Sequence, residues 1–219
     1  MDVAPRVTAL DPDPHRPDAV RIEIDGVRFG VVPKEVALAE RLTVGGELDG
    51  AAQERLSAAA DIEAAFRTTL RALEVRSFAR GDLSRRLQRK GHPRPAIESA
   101  MDRAVRLGLL DDPAFAQNYV ETRAARGRGP ARLVRDLLSM GVERSLIDRA
   151  IADHWPEGSD RSAVPLALAH KRAAQLGSLP RQTKRRRLVA YLARRGFTGR
   201  EISDMVDGVL QSPVVSHES

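Results

Sequence analysis

The residues best suited to chemistry are few, and most have a plainer use. Asp111 and Asp112 stand side by side and could hold a metal or move a proton. Pro113 follows directly. Aspartate as N-cap with proline at the first helical position is a common helix start, so the capping reading is favoured. The five histidines, His15, His92, His154, His170 and His217, show no metal-ligand spacing. His154 and Trp155 are expected to pack at a helix end. Gly127 and Gly129 lie in RGRGP. No strand precedes them and no Gly-Lys-Ser/Thr follows, so this is not a phosphate loop. No serine sits in a nucleophile elbow. The sequence holds no catalytic constellation, and a protein that is not an enzyme, with no cofactor and no metal, is expected.

Charge is more informative. Lys184, Arg187, Tyr191 and Arg194 recur at helical spacing in KRRRLVAYLARRG, on a different stripe from Leu188 and Leu192. A cationic face with one aromatic suits phosphates and exposed bases. The candidate binding residues are Arg86, Arg89 and Lys90, then Arg128, Arg132 and Arg135, then Lys184, Arg187, Tyr191, Arg194, Arg195 and Arg200. Basic residues at helix C-termini are also what the helix dipole favours, so each helix alone proves little. The bulk balance adds weight. Residues 1–60 carry 7 Lys+Arg against 11 Asp+Glu, net −4, and the remaining residues carry 29 against 19, net +10. A basic body points to a polyanion, nucleic acid first. Arginine outnumbers lysine 32 to 4. That looks like coding bias, but bias does not explain the split between segments.

These residues are positioned by a repeat. LSRRLQRKGHPRPAI (83–97), LVRDLLSMGVERSLI (133–147) and LVAYLARRGFTGREI (188–202) each read L-x3-L-x3-G-x5-I. Met101, Ile151 and Val206 follow four residues later. Leucines four apart share a helix face, glycine suits the left-handed position after the last turn, and the isoleucine starts a second apolar face. Further helical stretches start upstream at Ile62, Asp112 and Ala163. The fold expected is mainly α: three tandem three-helix repeats in an elongated curved array, behind a small segment containing a β-hairpin. Leu83, Leu87, Leu133, Leu137, Leu188 and Leu192 should be buried, and Gly141 left-handed.

The borders expected are 1–60 for the first segment, 61–110, 111–155 and 156–212 for the repeats, and 213–219 for a flexible tail. Within the first segment, AVRIEIDGVRFGVV alternates apolar and polar residues on both sides of Asp25-Gly26, a hairpin signal. Arg6 to Leu10 can add a third strand, Asp11 to Pro17 reads as a loop, and Lys34 to Leu42 as a short helix. A further helix starts near Gly50 and can run on into the first repeat. There is no cysteine, which excludes disulfides and thiolate metal sites. No apolar run approaches a membrane span and the start lacks a signal-peptide pattern, so a cytoplasmic protein is expected.

The stretch DDPAFAQNYVETRAARGRGPARLVRDLLSMGV resembles the middle of the RecX family, bacterial regulators of the RecA recombinase. The residues that carry the likeness are Asp111, Asp112, Phe115, Ala116, Tyr119, Val120 and Arg123, followed by Gly129, Leu133, Leu137, Gly141 and Val142. LARRGFTGREI resembles the family's C-terminal R-R-G-F signature, and RSFARGDLSRRLQRKG its opening segment. Ala79 replaces a usual serine there, with the loss of a helix cap, and Met140 replaces a frequent Lys or Arg. The likeness runs from about Ala65 to Leu210. It implies a monomeric, non-catalytic protein of DNA repair, recombination and the SOS response. Such a protein lies in the groove of the RecA filament on single-stranded DNA, binds nucleic acid alone only weakly, and mostly lowers ATP hydrolysis and strand exchange. The helix–glycine turn–helix unit also resembles a helix-turn-helix, so a sequence-specific DNA-binding repressor is the alternative.

Overall fold

The computed structural model describes residues 4–211 of the chain. The tail expected at 213–219 lies outside them. The described residues form three strands and ten helices, and the chain divides into two compact units between Asp111 and Asp112.

The first unit opens with an antiparallel sheet of order β1-β2-β3: β1 (Val7–Asp13), β2 (Arg16–Ile24) and β3 (Val27–Pro33). Asp25 and Gly26, with φ of 49° and 77°, make the tight turn that pairs Ile24 with Val27. The segment Asp11 to Pro17, expected as a loop, is mostly strand, with only Pro14 and His15 in the turn. Its prolines are tolerated for physical reasons. Pro12 lies on β1, an edge strand with a register shift between Pro12 and Asp13, and an edge or a bulge can spare an N–H donor. Pro14 is in the turn, and Pro17 is at the start of β2, where no ladder pair involves it.

Helix α1 (Lys34–Ala39) is shorter than expected and gives way to Arg41 in the left-handed region. Helix α2 (Gly50–Leu73) runs straight through residue 60 and serves both neighbours. Leu56 joins Val7, Ile22 and Val32 in the core beneath the sheet. About two and a half to four and a half turns later, Ala65, Phe66 and Ala72 join the core of the first repeat. Helices α3 (Arg80–Arg89) and α4 (Arg94–Arg106) complete that core with Leu83, Leu87, Ala100 and Met101. Ala79 stands at the N-cap of α3 without a side-chain cap bond. It is fully buried instead.

The second unit holds α5 (Asp112–Ala124), α6 (Pro130–Met140), α7 (Arg144–His154), α8 (Ala163–Ala174), α9 (Arg181–Arg195) and α10 (Arg200–Val209). The six repeat leucines are all fully buried. After each pair the chain leaves the helix in the same way. Gly91, Gly141 and Gly196 take φ of 85°, 82° and 94°. The next residue's N–H, from His92, Val142 or Phe197, then donates back to the carbonyl of Leu87, Leu137 or Leu192. That is the bond of a Schellman turn, and it accounts for the glycine in the repeat pattern.

Candidate nucleic-acid interface

The repeats position their second helices, and these carry the candidate cations. On α3, Arg86, Arg89 and Lys90 are all exposed, and none forms an ion pair among the described residues. The Arg86 guanidinium lies 5.8 Å from the Phe78 ring centre, on a ring already covered by Arg76 at 3.6 Å. Arg76 escaped the sequence reading because nothing in its own spacing marks it. Only the fold of the loop before α3 brings it over the ring.

At α6 and the segment before it the three arginines differ. Arg128 Nη1 lies 2.7 Å from Asp136 Oδ2 and Arg132 Nε 2.8 Å from Asp136 Oδ1. Arg128 also donates to the Tyr119 hydroxyl at 3.2 Å, and that hydroxyl donates in turn to Asp136. Burial, and then the Asp136 charge, raises the Tyr119 pKa, so the phenol stays a neutral donor. Much of the Arg128 and Arg132 charge is thus balanced within the repeat. Arg135 is exposed and has no carboxylate partner among the described residues, its Nε 3.4 Å from the Ala131 carbonyl.

Helix α9 is the most cationic element. Arg187 and Arg194 are exposed, Lys184 is half-buried, and none of the three forms an ion pair among the described residues. Arg185 is held by both oxygens of Asp207. Arg200 meets Asp204 at only 4.0 Å. Tyr191 is half-buried between two guanidiniums, Arg195 at 4.9 Å and Arg172 at 5.7 Å. Arg172 comes from α8, nineteen positions upstream, so sequence spacing could not connect it to Tyr191.

Arg195 has a further duty. The Gly129 N–H donates to its carbonyl at 2.7 Å, and Ala131 N–H donates to the carbonyl of Gly196 at 3.2 Å. Its guanidinium reaches toward the Gly127 carbonyl at 3.5 Å. RGRGP is therefore a joint between the second and third repeats. A Cβ on Gly129 would stand 2.5 Å from the Gly196 oxygen, and one on Gly196 would stand 2.4 Å from the Arg132 nitrogen. Backbones approach this closely only where both residues lack a side chain. The arrangement leaves two exposed cationic areas, the end of α3 and the outer face of α9, and one balanced cluster around Asp136. Among the described residues no group of acids and histidines could hold a metal ion.

Two stretches match models of known domains. Residues 111–151 match the second three-helix domain of RecX and residues 166–206 the third. The regulatory protein RecX of Mycolicibacterium smegmatis is 33% identical over 147 residues, 66% of this chain and 78% of that protein. The chain belongs to the RecX family. The RecX regulatory protein of Streptomyces coelicolor is 37% identical over 139 residues, 63% of this chain and 72% of its own length. That of Chlorobium phaeobacteroides is 31% identical over 153 residues, 69% and 97%. The fold agrees. A crystal structure of a regulatory protein RecX overlays with a TM-score of 0.72 at 22% identity, covering 93% of this chain and 99% of that one. RecX from Lactobacillus salivarius overlays with a TM-score of 0.58 at 20% identity, covering 68% and 96%. The chain is thus a RecX-type regulatory protein of mainly helical repeats.

Proposed function

We propose that this chain is a non-catalytic regulator of homologous recombination that binds the RecA filament on single-stranded DNA and lowers its ATPase and strand-exchange activities. The observation that carries the reading is membership of the RecX family together with seven candidate cations at α3 and α9, Arg86, Arg89, Lys90, Lys184, Arg187, Arg194 and Arg195, that have no carboxylate partner among the described residues. Arg86, Arg89, Lys90, Arg187 and Arg194 meet phosphate or an acidic filament surface. Arg128, Arg132 and Arg195 hold the shape of their repeats. The protein acts by binding one filament state better than another, which shifts populations without chemistry. It works in the cytoplasm as a monomer, and no described helix is long and apolar enough to cross a membrane.

The test is an ATPase and strand-exchange assay with the cognate RecA. Both rates fall at equal or lower amounts of this chain, and Arg187→Glu with Arg194→Glu weakens the effect. No change in either rate with folded protein rejects the reading. Tight binding to one duplex sequence would favour a helix-turn-helix repressor in its place.

A further inference from the structure

The second unit carries a groove lined by more carboxylates than cations. The C-terminal part of α5, the segment between α7 and α8, and the first turns of α10 enclose about 830 Å³. Ala124, Ala131, Phe197, Ile202 and Met205 supply apolar walls, and Trp155 stands at the side with the His154 ring edge-on at 4.4 Å. Glu121, Glu157, Asp160 and Glu201 ring this apolar surface. Glu121, Glu157 and Glu201 form no ion pair among the described residues, and Asp160 is bonded by Ser162, through its side chain and through its N–H at 2.8 Å. The four carboxylates outnumber the two arginines at the groove. Arg128 is held by Asp136, and Arg161, which keeps its charge, donates to the Trp155 carbonyl at 2.7 Å.

We propose that this groove docks a protein segment in which one large apolar side chain is flanked by lysine or arginine. The apolar walls desolvate the anchor, and the four carboxylates meet the flanking cations. Charge selects the occupant. Unpaired carboxylates repel phosphates, so the groove rejects the nucleic acid that the α3 and α9 cations attract. A chain whose net charge is +6 thereby gains one surface for a basic partner, separate from its surfaces for an acidic one. The proposal does not depend on which polyanion the cationic areas bind.

Trp155 is the single tryptophan of the chain, so its emission reports the groove alone. The whole chain is titrated with an amphipathic leucine–lysine peptide, a leucine–glutamate peptide and an oligo-dT. A saturable change in Trp155 emission is expected with the leucine–lysine peptide only, weakening as salt rises. Glu157→Lys with Glu201→Lys, both at exposed positions, should weaken that binding about tenfold. Circular dichroism confirms that the variant keeps its helices. An equal response to the leucine–glutamate peptide, a response to oligo-dT, no response to any probe, or an unchanged affinity in the folded variant each overturns the proposal.

Discussion

The two units complete the same repeat by different means. In the first, the sheet is fastened to the repeat by charge. Glu63 on α2 is 1% exposed and is paired with Arg16 on β2 and with Arg103 on α4, the latter at 3.2 Å. Arg103 also lies 4.2 Å above the Phe66 ring. Arg16 in turn donates to Asp18 at 2.9 Å, a bond that lowers the Asp18 pKa. In the second unit, repeat is fastened to repeat by backbone, through the Gly129–Arg195 and Ala131–Gly196 hydrogen bonds. A buried charge cluster tolerates small shifts but not the loss of a member. A backbone joint tolerates changes of charge but not the gain of a carbon.

The largest effect should come from breaking the charged fastening. Glu63→Ala leaves two guanidiniums facing each other across a buried site. Removing one member of a buried pair costs about 3–5 kcal/mol. Here the loss should lie near about 3 kcal/mol, because Arg16 and Arg103 keep side-chain exposures of 16% and 29% and regain some hydration. Urea unfolding of the whole chain measures it. A cost under about 1 kcal/mol would show that the apolar contacts of Leu56, not the charges, hold the sheet.

The backbone joint comes next, with an internal control. Gly196→Ala pays the left-handed strain of about 1 kcal/mol. It also pays overpacking against the Arg132 backbone, typically about 1–3 kcal/mol. Gly91 has nearly the same φ, yet a Cβ there meets nothing within 4 Å. Gly91→Ala should therefore cost only the first part, about 1 kcal/mol. Equal costs in thermal unfolding would mean that the joint yields and does not fix the angle between repeats.

This pair of glycines also shows what the sequence could and could not reveal. The L-x3-L-x3-G-x5-I spacing identified the helix pairs, their buried leucines and the glycine turns, because all of these depend on neighbours within one or two helical turns. The Asp25-Gly26 turn was legible for the same reason. The use of Gly129 and the hold on Arg128 were not. Gly129 meets Gly196 across 67 positions, and Arg128 reaches Asp136 from the segment before α6, whereas the Arg132–Asp136 pair follows the i,i+4 spacing of a helix. Arg194 and Arg195 read as one cationic pair, but Arg194 is exposed and Arg195 is half-buried in the joint. The strand ends within Asp11 to Pro17 were hidden by prolines that are explained by an edge strand at Pro12, a turn at Pro14 and a strand start at Pro17.

The split between Arg194 and Arg195 yields a smaller but cleaner effect. If Arg194 meets a phosphate of single-stranded DNA, Arg194→Glu weakens filament binding and flattens the logarithmic salt dependence by about 0.7. It should leave stability within about 0.5 kcal/mol, as for most exposed positions. Arg195→Glu should lower stability as well, since it gives up the Tyr191 contact and the reach to Gly127. Met140→Glu, on the half-buried end of α6, should weaken binding with little change in slope. Filament affinity at several salt concentrations, beside an unfolding curve for each variant, separates the three. A Met140 variant that changes the slope as much as Arg194→Glu would mean that the repeats use a different face.

The smallest effect distinguishes the turns themselves. The residue after the glycine is Val142 in the second repeat and Phe197 in the third, both buried, but His92 in the first. His92 Nε2 lies 3.1 Å from Thr68 Oγ1. The Thr68 hydroxyl donates its one hydrogen to the Ala64 carbonyl, so the imidazole must donate to Thr68 and hold its free lone pair on Nδ1. Burial, and then the neighbouring Lys90 charge, lowers the His92 pKa, and Asp61 opposes them weakly. The unfolded chain therefore takes up a proton before the folded one does. Stability is full above the ordinary histidine value of about 6.5 and falls as the pH drops from there toward the folded value. His92→Phe copies the third repeat's turn and should remove that part of the pH dependence while leaving the carboxylate part at lower pH. Melting curves of the two proteins from about pH 8 to about pH 5.5 make the comparison. Parallel curves throughout that range would mean that His92 is solvated like an exposed residue, and that the three turns are equivalent in energy as well as in shape.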